Sequence, residues 1–251
     1  RNRIIFPIID YRDRVVGFGG RVLDDGLPKY LNSPDSPVFN KSNILFGINI
    51  VKRLRPIDSI IVVEGYMDVI TLHQYGIKNV VASLGTSLTE GQAKLLRRYT
   101  RDVYIAYDGD SAGQQATLRG LDILKKAGCK VRVICFPKGM DPDEVLRTKG
   151  MKFFLKLMDT SLSLVDYKLE CLRKELNLND EEERVLFATK AAEILVDVEN
   201  LLERDVHIQR INSLTGFKTE LLYRQIRLLE NKRNRKGVKN NIVGNNRHIE
   251  E

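Results

Sequence analysis

Short apolar runs punctuate the middle of the chain: SIIVV (59–63), NVVAS (79–83), DVYIAY (102–107) and VRVICF (131–136). β-Branched and aromatic residues dominate them, and the segments between them have helical length, so each reads as a buried strand followed by a helix. Strands that alternate with helices predict an α/β fold with a mostly parallel, doubly wound sheet. Helix punctuation agrees, with Ser87 and Glu90 spaced as a capping box and Gly128 closing the periodic stretch that ends near Ala127. Before the runs, RIIFPIID and RVVGFGGRVL flank a polar YRDR turn and predict a pair of antiparallel strands. Gly17, Gly19 and Gly20 superficially match a dinucleotide loop, but no helical pattern follows them, so close backbone packing or a bulge is the better reading. GLPKYLNSPDSPVFNK then predicts an ordered loop.

From Ser161 onward the period changes to helical. Leu162, Val165, Leu169, Leu172 and Leu176 share one face, as do Val185, Ala188, Ala192 and Leu195, and later Leu222, Ile226 and Leu229. HIQRINSLTGFKTELLYRQI fits two packed helices better than a DNA-reading helix-turn-helix. The last stretch, rich in Asn and Lys, predicts a flexible linker or terminus. These shifts divide the chain into a basic N-terminal segment (1–57), a strand–helix segment (58–159), a helical segment (160–229) and a linker (230–251). Because the chain begins with Arg1 inside a strand pattern, the expectation is a fragment of a longer protein.

Composition is globular, with 251 residues of which 43% are hydrophobic and 29% charged. No apolar run is long enough to span a bilayer and no signal peptide is evident, which predicts a cytoplasmic protein without a membrane partner. Cys129, Cys135 and Cys171 form no C-x-x-C pair, so neither a disulfide framework nor a zinc site is expected. The net charge is +8, unevenly spread: residues 1–57 carry ten Lys/Arg against five Asp/Glu, whereas 160–229 carry ten against thirteen. A basic N-terminal side suits a polyanion.

The acidic residues carry the chemistry. Glu64, Asp108, Asp110, Asp141 and Asp143 all follow predicted strands, and ligands of such sheets gather beyond the carboxyl ends of the strands. Taken singly, each has a plainer reading: Asp110 or Ser111 caps a helix starting near Gly113, and Asp141, Pro142, Asp143 and Glu144 fit an N-cap, a proline at the first position and an acidic first turn. Taken together, they need cations. Two carboxylates about 6 Å apart at an effective dielectric near 20 repel by roughly 3 kcal/mol. Oxygen-only donors suit Mg²⁺ or Mn²⁺. His73, His207 and His248 are isolated and read as packing or surface residues. Carboxylate-held magnesium beside basic residues points to phosphate-ester chemistry.

The ordered set VVEGYMD, YDGDSAG and GMDPDE resembles the Toprim fold of primases, topoisomerases and some nucleases, and FPIIDYRDRVVGFGGRVL, PKYLNSPDSPVFNKSNILFG and VASLGTSLT are similar to bacterial DnaG-type primases over roughly residues 1–160. The resemblance implies a Toprim-type, mostly parallel sheet, preceded by a mixed basic subdomain and followed by a small helical one. It implies an RNA-polymerase core that copies single-stranded DNA into short RNA primers from ribonucleoside triphosphates, using two or more Mg²⁺ or Mn²⁺ ions, at a bacterial replication fork. By motif position, Glu64, Asp108 and Asp110 would be the principal metal ligands, with Asp68, Asp141 and Asp143 in support. Arg21, Lys29, Asn32 and Lys41, with Arg1 and Arg3, would line the groove for nucleotide and template. Contact with the replicative helicase is expected through a domain absent from this chain. The rival readings are a Toprim nuclease or topoisomerase cleavage module, and a nucleic-acid-binding fragment without turnover.

Overall fold

The computed structural model describes residues 2–85, 87–108 and 111–245, with 111, 112 and 235–245 by backbone alone. It divides into two compact units, Arg1–Leu164 and Val165–Glu251. The basic N-terminal segment and the strand–helix segment, separated in the sequence reading, thus belong to one unit.

Within the first unit, β1 (Arg3–Ile9), β2 (Val15–Val22) and β3 (Tyr30–Asn32) form an antiparallel sheet in the order β1-β2-β3. The turn between β1 and β2 closes on Asp10, which is 5% exposed. One of its oxygens accepts from the Arg12 and Arg14 amides and the other from the Arg14 guanidinium. Burial pushes the Asp10 carboxyl up, but the hydrogen bonds from Arg14 and Arg12 together bring it below the usual range. β3 corrects the loop expected over GLPKYLNSPDSPVFNK: three of its residues pair with β2, Gly19 opposite Asn32 and Arg21 opposite Tyr30. Gly19 shows why small residues stand in β2. A Cβ there would lie 2.9 Å from the Tyr66 phenol, so the glycine reflects close packing, as expected from its sequence setting.

The second sheet has the order β5-β4-β6-β7-β8, with β4 (Ile60–Val63), β5 (Val80–Ala82), β6 (Asp102–Ile105) and β7 (Lys130–Val133) parallel. All four predicted strands are present. β4 lies between β5 and β6, and its residues are fully buried, as strands covered by helices on both faces must be. The flanking helices are α1 (Ile48–Val51), α2 (Tyr66–Gln74), α3 (Glu90–Arg97), α4 (Ser111–Lys126) and α5 (Pro142–Asp159). Ile61, Val63, Val80 and Ala82 from the sheet meet Val69 and Leu72 of α2 and Val145, Leu146 and Phe154 of α5 in one core. Each such side chain contributes about 1.5–3 kcal/mol on burial. A short antiparallel strand, β8 (Leu162–Ser163), closes the sheet where the sequence predicts only helix.

The capping box lies two residues later than predicted. Thr89 caps α3 and Gln92 returns the bond, because the same spacing recurs at 89–92 and only that pair sits at the chain's entry into the helix. Gln92 is fully buried, and its Nε2 donates to the carbonyls of Lys41 (2.9 Å) and Ile44 (3.0 Å). It therefore ties the 3-10 turn at Lys41–Asn43 to α3. Gln92→Ala is expected to cost about 3 kcal/mol, because two buried carbonyls lose their partner. Urea unfolding checks this, with a lower midpoint and an unchanged slope expected.

The second unit holds α6 (Leu164–Glu175), α7 (Glu181–Leu195), α8 (Leu201–Thr215) and α9 (Thr219–Asn245). Ala188, Ala192, Leu195, Leu222 and Ile226 are buried as predicted. Val185 is not: it is 52% exposed, and Phe187 and Ala191 take the inner face of α7 instead. α9 runs on to Asn245, past the point where composition predicts a linker. Arg, Lys and Glu propagate helices well without an apolar face. Arg204 and Glu230 pair at 2.9 Å near its middle. Among the described residues no helix is long and apolar enough to cross a membrane, and the described cysteines are free.

Candidate catalytic cleft

β4 and β6 lie side by side and in parallel, Val62 opposite Ile105, so the residues that follow them emerge at the same edge. Glu64 follows β4, and Asp108 follows β6. They touch: the Asp108 amide donates to Glu64 Oε1 at 3.2 Å. Glu64 therefore orients the aspartate loop as well as offering a carboxylate. Immediately after Glu64 the chain turns into α2, with Gly65 as its N-cap and Asp68 at the third position. Asp68 Oδ2 accepts from the Gly65 amide at 3.0 Å, which holds that carboxylate toward the same edge.

α5 delivers the remaining pair. Asp141 is its N-cap, accepting from the Glu144 amide at 2.6 Å, and Pro142 takes the first helical position. The capping reading of this stretch is thus observed, and both aspartates also line the cleft. Asp143 accepts through Oδ1 from the Thr71 hydroxyl of α2 and from Arg147 Nε at 3.0 Å.

Opposite stands a basic wall. Arg21 of β2 and Lys29, Tyr30 and Asn32 at β3 face Glu64, Asp68, Asp108, Asp141 and Asp143 across a cleft of 320 Å³, floored by Gly65, Tyr66, Met67, Leu84 and Gly85. Both cations lie within cation–π reach of the Tyr30 ring, whose centroid is 5.8 Å from the Arg21 guanidinium and 5.9 Å from Lys29 Nζ, which favours keeping both heads at the cleft. Burial, then the neighbouring charges of Asp108, Asp141 and Glu64, push the Asp68 carboxyl up to about 7 despite the Gly65 amide.

Eight of the twelve residues expected at the site line this cleft. Two do not. Lys41 is not among the lining residues; it opens the 3-10 turn, with its amide on Asp35 and its carbonyl on Gln92. Arg3 lies behind the wall and reaches the carbonyls of Gly20 (3.5 Å) and Lys29 (3.4 Å), so it buttresses β2 and β3. Asp110 and Arg1 lie outside the described residues, as does His248.

Among the described residues no three Asp, Glu, His or Cys side chains approach closely enough to hold an ion together as they stand. The chemistry of the set nonetheless fits a hard divalent cation. The acidic donors that line the cleft are all carboxylates, and burial first, then the neighbouring charges, disfavour the Asp68 anion, which a cation would stabilise.

Sequence reasoning missed Tyr30, Tyr66 and Gly113. The first two stand inside PKYLNSP and VVEGYMD, where an aromatic residue beside charged ones carries no signal of its own. Gly113 is set by the Asp108 carbonyl, which lies 2.3 Å from where a Cβ would sit.

Three family models match the chain: the N-terminal domain of the DNA primase catalytic core over residues 1–52, a Toprim-like domain over 61–146, and the DnaB-helicase binding domain of primase over 165–220. The DNA primase of Clostridium acetobutylicum is 49% identical over 223 residues, covering 89% of this chain and 37% of that protein. The DNA primase of Halalkalibacterium halodurans is 38% identical, covering 99% of this chain and 42% of that protein. The chain therefore spans about two fifths of the length of these relatives. Among solved structures, a DNA primase domain from Pseudomonas aeruginosa superposes with a TM-score of 0.73 at 38% identity, covering 90% of this chain and 72% of that one. A DnaG primase catalytic domain bound to single-stranded DNA superposes with a TM-score of 0.71 at 37% identity, covering 85% and 70%. The third family match adds to the expectation for the helicase: a helicase-binding model of primases falls on the helices of the second unit.

Proposed function

This chain belongs to the DnaG-type DNA primase family, and from that premise we propose that its cleft is the centre that joins ribonucleotides into primers on single-stranded DNA. The observation that carries the reading is the opposition of five carboxylates to Arg21 and Lys29 across one cleft. Such a cleft suits a substrate whose triphosphate bears the negative charge and a reaction that needs divalent cations. Toprim-type primases are in general metal-dependent. Glu64, Asp108 and Asp110 would be the principal holders of two or more Mg²⁺ or Mn²⁺ ions, with Asp68, Asp141 and Asp143 around them. When bound, these ions activate the attacking 3′-hydroxyl and neutralise charge on the leaving pyrophosphate.

The protein's own groups do the positioning. Arg21 and Lys29 receive the triphosphate from the opposite wall, and Asn32 offers an amide beside it. Glu64 holds the Asp108 amide, so the aspartate loop is set before substrate arrives. Asp143, already engaged by Thr71 and Arg147, keeps one oxygen for the cleft. Template is held chiefly through its backbone, which makes binding salt-sensitive. The neighbour bound to single-stranded DNA supports that substrate. Contact with the replicative helicase, in the bacterial cytoplasm, falls to residues 165–220 on the family match.

Incubation with single-stranded DNA, the four ribonucleoside triphosphates and Mn²⁺ or Mg²⁺ tests the reading. Short RNA products that vanish on chelation are expected. Nicked DNA would favour the nuclease alternative, and DNA retention with no product would favour a binding fragment.

A further inference from the structure

Tyr66 takes no part in the chemistry assigned above, yet it touches both walls of the cleft. Its side chain belongs to a residue only 3% exposed. Its ring packs on Phe6 (5.2 Å between centroids) and meets Tyr30 and Phe46 edge-on, each at 5.5 Å. Gly19 seats the phenol, since any Cβ there would collide with it. The ring is therefore fixed from several sides, and the hydroxyl has a set direction. Tyr66 Oη donates to Asn32 Oδ1 at 2.6 Å, and Asn32 Nδ2 donates in turn to the Leu84 carbonyl at 3.1 Å.

This chain of bonds has a polarity. Turning the Asn32 amide over would set its oxygen against the Leu84 carbonyl oxygen, a repulsive contact, so the carbonyl selects one orientation and the Tyr66 hydroxyl holds the oxygen end of it. That orientation leaves the second N–H of the amide for a ligand in the cleft that Asn32 lines. Tyr66 also opens α2, between Glu64 and Asp68 in the chain, while Asn32 ends the strand that carries Tyr30. One hydrogen bond thus joins the carboxylate side to the cationic side.

We infer that Tyr66 is a positioning residue: its hydroxyl fixes the Asn32 amide and the spacing between the two walls, and so sets the affinity of the cleft for a nucleoside triphosphate. The inference rests on the nucleotide-site reading. It concerns binding, so it does not need turnover to be measured.

Titration calorimetry with ATP and Mn²⁺ on the wild type, Tyr66→Phe, Asn32→Ala and the double variant tests it. Phenylalanine keeps the ring packing and removes only the hydroxyl. Tyr66→Phe is expected to weaken ATP binding about ten-fold, equivalent to about 1.4 kcal/mol, the size of one buried hydrogen bond. Asn32→Ala should lose at least as much, and the double variant should bind no more weakly than Asn32→Ala, because the hydroxyl acts through that amide. All the variants should melt cooperatively.

Tyr66→Phe binding ATP within two-fold of wild type overturns the inference, and so do losses that multiply in the double variant. Loss of cooperative melting in Tyr66→Phe makes the tyrosine a fold residue and overturns it as well. A wild-type chain that binds no ATP overturns the nucleotide-site reading, and the inference falls with it.

Discussion

Glu64→Ala is expected to lower primer synthesis about a thousand-fold while leaving the melting temperature within a few degrees of wild type. Two losses combine in that variant. A carboxylate disappears from the set that would hold the metal ions, whose charge stabilisation is worth several kcal/mol; roughly 4 kcal/mol corresponds to that factor. The acceptor for the Asp108 amide disappears as well, so the aspartate loop loses its tether. Glu64→Gln separates the two effects. Glutamine keeps an oxygen for the Asp108 amide but carries no charge. If charge dominates, the glutamine variant is nearly as inactive as the alanine variant. If it retains a tenth or more of wild-type activity, Glu64 acts mainly on loop geometry and the metal role assigned to it is wrong. Primer yield and Mn²⁺ dependence, measured on both variants, decide between these.

The second large effect is expected at a residue with no functional group. Gly113→Ala should cut activity about a hundred-fold, the loss that a displacement of about 1 Å in a catalytic group can produce. The cause is steric. A Cβ at Gly113 would lie 2.3 Å from the Asp108 carbonyl oxygen, closer than real Cβ contacts come, and a tight 3.1 Å from its carbonyl carbon. The backbone that carries Asp108 must move, because neither atom belongs to a flexible side chain. Helix propensity works the other way, since alanine in α4 favours the helix by up to about 1 kcal/mol. Activity and stability should therefore part company, with turnover falling while the melting temperature holds. Gly120→Ala supplies the control on the same helix. Its Cβ would meet side-chain atoms alone, the end of Ile105 at 3.2 Å and Leu88 at 3.8 Å, so activity should be retained. Equal activity in the two variants would show that the Asp108 backbone tolerates displacement.

Much of the site could be read from the linear order of residues. Glu64 and Asp108 follow β-branched and aromatic runs, and parallel strands with helical crossovers present their carboxyl ends at one edge. Asp141 and Asp143 could be placed for the same reason, together with the proline that starts α5. The capping reading and the site reading of that pair turned out to be compatible: Asp141 caps with one oxygen and still lines the cleft. Misplacements arose where local patterns are degenerate. Ser87 with Glu90 and Thr89 with Gln92 satisfy the same capping rule, and only the path of the chain distinguishes them. Val185 falls on the predicted face of α7, yet the packing of that helix against α8 and α9 leaves it outside. The stretch after Leu229 reads as unstructured because it has little apolar content, a criterion that does not exclude a solvated helix.

Chain order and residue chemistry by themselves determined the parallel sheet, the helical second unit, the carboxylates at the strand ends and the polyanion-seeking charge of the N-terminal segment. These follow from periodicity, turn chemistry and charge, which act over a few residues. Only the tertiary structure decided that Lys41 is not among the residues lining the cleft, that Arg3 braces β2 and β3, that Tyr66 meets Asn32 across 34 positions and Gln92 meets Ile44 across 48. Such pairings depend on how two sheets pack and where a hydroxyl or an amide finds its partner, and no short window of sequence contains that information.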